Sequence, residues 1–116
     1  MERILETVEG VDFSEILDGK TDVVSSDDVE TLLLDALEQA DFSSHDYEIR
    51  EVVPDFHTEN GRTIVIGRCQ VSEKIETGFR YTNFTFEVNH AVRSGEPVPD
   101  SVGVLLEKES VKEEVV

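Results

Sequence analysis

The sequence predicts an α+β fold, with an amphipathic helix (about 27–40) packed on a 3–4-stranded antiparallel meander in two layers. Three observations predict it. Val29, Leu32, Leu33, Ala36, Leu37 and Ala40 recur at helical spacing and make a single apolar stripe. Asn60-Gly61 separates two strand-like runs, and a two-residue type I′ turn needs positive φ at both centres, which this pair tolerates. Phe84, Phe86 and Val88 alternate with Thr85, Glu87 and Asn89, the period of a half-buried strand.

In chain order, Ile4, Leu5 and Val8 have helical spacing but stop at Gly10, so a turn or two of helix and a strand both remain open there. Asp12-Phe13-Ser14-Glu15 has the form of a capping box and Gly19 supplies a stop, so a short helix is expected over 13–18. Residues 1–24 are thus expected as a short helical or irregular N-terminal segment. The main helix follows, with Ser26 as N-cap and Asp27, Asp28 and Glu30 at the positive end of its dipole. Leu34 lies at or beyond the edge of the stripe, and Asp35 and Glu38 take the wet side.

If Asn60-Gly61 is the turn, strand 47–58 pairs Phe56 with Val65, Val52 with Cys69 and Arg50 with Val71 on a mostly apolar face. The opposite face pairs His57 with Ile64, Asp55 with Ile66, Val53 with Arg68 and Glu51 with Gln70. Pro54 has no N–H to give a central ladder, which marks this strand as an edge or bulged strand. A third strand is expected over about 79–90, after a four-residue loop at 74–77 that sets Phe84 and Phe86 on the face of Val65 and Cys69. Phe79 and Tyr81 have the other parity and fall on the polar face, or the strand bulges near Thr82-Asn83. Ser94-Gly95-Glu96-Pro97 reads as a turn, and Val102, Val104 and Leu106 as a fourth strand. Residues 107–116 extend that strand or fray.

Composition sets the limits on function. The chain has 116 residues, 27 acidic against 10 basic side chains, and a formal net charge of −17, which fits a single domain over 1–116. One cysteine rules out an intramolecular disulfide and a Cys-rich zinc site. No apolar run stands behind a basic start and none has the length of a membrane helix, so a cytoplasmic protein with no membrane partner is expected. Residues 1–60 carry 18 acids and 3 bases, whereas residues 61–116 carry 9 and 7. The acids recur singly, as in Glu2, Glu6, Glu9, Asp12, Glu15 and Asp18, and not in the runs that mark an interaction tail. This is a solvated coat. With four lysines, 17 valines and an excess of Arg over Lys, it is the composition of a salt-adapted, halophilic cytosolic protein.

Several constellations can carry chemistry. Cys69 is a nucleophile only if His45, His57 or His90 reaches it, and its mid-strand position reads instead as a small buried hydrophobe. Asp55, His57 and Glu59 point the same way on an extended segment and hold metal-type donors, yet they lead to a solvated hairpin tip, so no metal is assigned. Arg68 is the most informative base. It faces Val53, lies diagonal to Glu51 and Asp55, and has Gln70, Tyr81 and Asn83 near it in the expected register. That set either holds an anionic ligand such as a carboxylate or phosphate, or is a cross-strand charge pairing. Asn83-Phe84-Thr85 matches a glycosylation sequon inside a strand, where it reads as chance. Nucleic acid is not expected as a partner, since net −17 repels phosphate despite the five bases and four aromatics within 61–93.

The function this supports is a small binding or assembly module with no catalytic residue and no cofactor. It would homodimerise, or bind a protein partner, through the mixed sheet face that holds Val53, Ile64, Ile66, Phe79 and Tyr81. The ligand or interface candidates on that face are Arg68, Tyr81, Asn83, Glu51, Asp55, His57 and Gln70. The alternative is a small-molecule enzyme of cystatin-like or hot-dog-like layout, drawing an acid or base from His57, Asp55, Glu51 or Tyr81 beside Arg68.

Overall fold

A computed structural model describes residues 3–9, 26–42, 46–59, 62–93 and 96–115. Five strands, β1 (Arg3–Glu9), β2 (Tyr47–Glu59), β3 (Arg62–Ile75), β4 (Gly78–Arg93) and β5 (Glu96–Val115), form one antiparallel sheet in the order β1-β5-β4-β3-β2. Among the described residues one helix, α1 (Ser26–Gln39), completes an α+β fold. The expected meander is present as β2 to β5, and the sheet has one strand more than the three to four expected. Of the readings left open for Ile4–Val8, a turn or two of helix or a strand, the structure shows the strand, so residues 3–9 are not the helical or irregular segment expected over 1–24; they pair with Glu107–Ser101 along β5. Their spacing settles neither periodicity, and the free edge of β5 decides between them. The short helix expected at 13–18 lies outside the described residues.

Helix α1 forms where its stripe can be buried. Val29, Leu32, Leu33, Ala36 and Leu37 are fully buried in one cluster with Val8, Ile49, Val65, Cys69, Val71, Phe84, Phe86, Val88, Val102, Val104 and Leu106. Leu34 is partly buried at its margin. The helix stops without a glycine. Asp41 adopts φ 53°, the Asp41 N–H donates to the Glu38 carbonyl at 3.2 Å, and the Phe42 N–H donates to the Leu37 carbonyl at 3.1 Å. That is a Schellman closure with aspartate in the left-handed position, where its short polar side chain is tolerated. It delivers Phe42 edge-on to Phe84, with ring centroids 5.7 Å apart.

The β2–β3 hairpin keeps the expected register from Glu59↔Arg62 through Val53↔Arg68, then shifts at a bulge between Arg50 and Val53. Beyond the bulge Ile49, not Arg50, faces Val71, and Arg50, not Glu51, faces Gln70. Glu51 takes φ 55° there. The extra residue removes the charge of Arg50 from the helix side and puts Ile49 in the core. The β3–β4 connection is shorter than expected: Ile75 pairs with Gly78 across a two-residue turn, and Gly78 takes φ 151°, a region that favours glycine. The face of each residue is as expected, but β4 slides by two residues, so Arg68 faces Thr85 and Cys69 faces Phe84. Gly67 sits where a Cβ would collide with the Val53 carbonyl and lie 2.8 Å from the Phe86 ring. Of extension and fraying at the C-terminal end, the structure shows extension, since β5 pairs with β4 as far as Val115.

Candidate functional site on the open face of the sheet

The core cluster uses one face of the sheet, and the pleat sends alternate residues to the other. Registers across all five strands place Val53, Arg68, Thr85, Glu107 and Arg3 in one row of that second face. The next row is Asp55, Ile66, Glu87, Leu105 and Leu5, two acids among three aliphatics. On the other side of the Arg68 row lie Arg50, Gln70, Asn83 and Ser110, then Glu48, Ser72, Tyr81 and Lys112. No described element packs over these rows. Leu5 is 70% exposed, Val53 51% and Phe79 38%, each on this face.

The seven candidate residues do not form one pocket. Gln70 donates through Nε2 to Asn83 Oδ1 at 3.2 Å, and Asn83 donates through Nδ2 to Ser110 Oγ at 2.9 Å. Asn83 therefore braces β3 to β5 with both ends of its amide. Tyr81 stands four residues along β4 from Thr85, the residue that faces Arg68, a distance of about 13 Å along a strand. It stacks on Phe79 instead, at 6.3 Å between centroids. Glu51 lies in the bulge, Asp55 is one row from Arg68, and His57 is exposed across from Ile64 nearer the hairpin end.

Arg68 remains the centre of the face. It is exposed, and no carboxylate among the described residues forms a salt bridge with it. Two hollows share it. One, of about 470 Å³, is lined by Asp55, Ile66, Arg68, Glu87, Leu105 and Glu107 together with Gly67, Thr85 and Phe86. The other, of about 600 Å³, includes Glu51, Val53, Gln70, Asn83, Thr85 and Glu109 beside Arg68. Thr85 donates its hydroxyl to Glu109 Oε1 at 3.2 Å, and Glu107 Oε1 holds the Arg3 guanidinium at 3.4 Å. Five carboxylates around one exposed arginine disfavour a small anion, because their repulsion opposes the single attraction. Thr85, Glu87, Glu107, Leu105 and Leu5 are residues of this site that sequence reasoning missed. In Ile4-Leu5-Glu6-Thr7-Val8 apolar and polar residues do not alternate, so no period-two signal marks β1.

The remaining constellations do not join Arg68, although Cys69 also lines the 600 Å³ hollow. Cys69 is buried on the helix side, where burial pushes its thiol up to about 12, and His57 lies on the opposite face. The His45 residue and the side chains of His90 and Glu59 lie outside the described residues. Among the described residues no three His, Cys, Asp or Glu side chains gather as a metal-binding group. Between the end of α1 and β2 is a hollow of about 330 Å³ lined by Leu34, Leu37, Glu38, Asp41, Phe42, Asp46 and Tyr47. The Tyr47 hydroxyl is buried there without a hydrogen-bond partner, and its pKa is raised by burial and then by the charge of Glu38. No described helix is long and apolar enough to cross a membrane. No protein-family model matches the chain, and no curated protein or solved structure matches it.

Proposed function

We propose that the chain is a small, acidic, salt-adapted cytoplasmic binding or assembly module, with no chemistry of its own, that engages a partner through the open face of its sheet. In the simplest form the partner is a second copy. The observation that carries this is exposed aliphatic and aromatic surface on the least acidic part of a −17 chain. Among the residues whose side chains are described, registers put Arg3, Arg50, Arg68, Lys74 and Lys112 on this face. They meet seven described acids there (Glu48, Glu51, Asp55, Glu87, Glu107, Glu109 and Glu114), a balance of −2 among these side chains against −17 for the chain. Two copies that repel everywhere else can approach here. Five strands at about 4.8 Å and a length of about 30 Å give roughly 700 Å², close to the about 800 Å² per partner of a standard interface.

The enzyme alternative has less support. None of His57, Asp55, Glu51, Tyr81 or Arg68 lines the hollow between helix and sheet, and Asn83 is already committed to hydrogen bonds. Light scattering on Val53→Asp and Leu5→Asp tests the module. Each buries a charge in the proposed interface and should convert a dimer to a monomer with the fold retained. A wild-type chain that stays strictly monomeric from low to molar salt, and captures no partner through this face, refutes the reading.

A further inference from the structure

The edge of β5 is open where β1 ends. β1 pairs with β5 only from Ser101 to Glu107, whereas β4 pairs with it as far as Val115. From Lys108 to Val115 the outer side of β5 therefore has no ladder partner among the described residues, and Glu109 to Val115 are all exposed. An open edge is a template for another strand. The outer edge of β2 is broken by Pro54, which has no N–H, and by the bulge at Glu51. No proline interrupts residues 108–115, and the register of β5 on β4 is regular from Ser110 to Val115. On the helix side of the sheet that stretch shows Val111, 45% exposed, and Val115, 77% exposed. Lys112 and Glu114 stand on the open face, and neither has a hydrogen bond or ion pair among the described residues.

We infer that two copies pair edge to edge through residues 111–115 of β5, antiparallel about a two-fold axis at Glu113, so that the two sheets continue as one. In such a ladder the residue on the axis faces its own copy, and residues equally far on either side face each other. Val111 then meets Val115 on one face and Lys112 meets Glu114 on the other, each contact made twice. Glu113 meets Glu113, and each carboxylate is already held by Arg80 through Nε and Nη2 at 3.0 Å, so the central pair is neutralised. No neighbouring register does as well. An axis at Lys112 sets lysine on lysine and Val111 against Glu113, and one at Glu114 sets Val115 against Glu113. An axis at Val111 sets Glu109 against Glu113. The charges on this edge thus admit one register and reject the others, which gives specificity to a pairing carried by the backbone. The inference does not rest on the open face as an interface. Five residues a side fall far short of the about 20–30 of a standard interface. Edge pairing is therefore the weaker contact, and it forms in concentrated solution between monomers or face-paired dimers alike.

Disulfide trapping on the full chain in concentrated solution tests it, with oxidised glutathione as oxidant. Cys69 is buried and does not compete. Cα atoms directly opposite each other lie about 4.5–5.5 Å apart, within the span of a disulfide. Glu113→Cys should cross-link with itself. Val111→Cys mixed with Val115→Cys should cross-link at least about tenfold faster than either alone, because each alone holds its cysteines about 13 Å apart along the strands. Lys112→Glu added to the Glu113→Cys chain sets glutamate against Glu114 and should slow cross-linking about tenfold. Adding Glu114→Lys as well restores opposite signs and should recover the rate to within about threefold. Circular dichroism melts check that each chain is folded. If Val111→Cys or Val115→Cys alone links as fast as the mixture, the register is wrong and the inference falls. It falls equally if Glu113→Cys does not link, or if Glu114→Lys fails to recover the rate. Val53→Asp in the Glu113→Cys chain separates this contact from the open face. Unchanged cross-linking is expected, whereas its loss would mean that the edges meet only within a face pair, which overturns the edge contact and leaves the face reading standing.

Discussion

Cys69 shows how a residue with reactive chemistry is made inert by position. Its side chain points under α1, among Phe84 and Val71, and burial raises its thiol from an ordinary 9.0 to about 12. The folded state binds this proton more tightly than the unfolded state. Its contribution to stability is complete below about pH 9 and is lost as pH rises toward about 12. A neutral-pH alkylating reagent should label Cys69 only as fast as the protein unfolds, and rapid labelling of the native chain contradicts the burial. That much was legible in the sequence from strand parity alone. The surroundings of Arg68 were not, because they depend on a turn length: two residues at 76–77 in place of four put Thr85 opposite Arg68 where Asn83 was expected. Parity survives a two-residue slide, but identity of the cross-strand neighbour does not.

At the scale of elements, α1 stands or falls by its stripe. Leu33 is fully buried against the sheet and Leu34 only partly. Leu33→Ala should cost about 2–5 kcal/mol in chemical denaturation, with Leu34→Ala clearly less costly. Equal losses would mean that the helix is rotated from this packing. The stripe was readable because a helix repeats its face every 3.6 residues over fourteen residues. The β2 bulge was foreseen only as a possible consequence of Pro54, and it occurs instead at Glu51-Val52. Its reason is tertiary: Ile49 and Tyr47 are packed with the core, and only an extra residue restores their parity to that of Phe56. Strand β1 was equally hidden, since a seven-residue segment carries too few periods to separate helix from strand.

For the whole molecule, charge and shape act together. Seventeen excess negative charges favour expansion at low salt, while the helix-covered core opposes it. Screening falls from about 10 Å at 0.1 M to about 3 Å at 1 M, so the melting temperature should rise with KCl. Each kcal/mol recovered is worth about 4 °C in a chain of this size. A calorimetric melt unchanged from low to molar salt would show that the acid coat does not oppose folding. The sequence by itself determined the charge, the helix and its buried stripe, the first hairpin turn, and which face each residue of β3 and β4 takes. Those follow from composition and from local periods that neighbouring residues reinforce. Only the tertiary structure decided the β4 slide, the bulge, the pairing of β1 with β5, and hence the rows that set Arg68 beside Glu87, Glu107 and Leu105. Those depend on contacts between segments far apart in the chain, where small differences in turn length and edge availability outweigh any local preference.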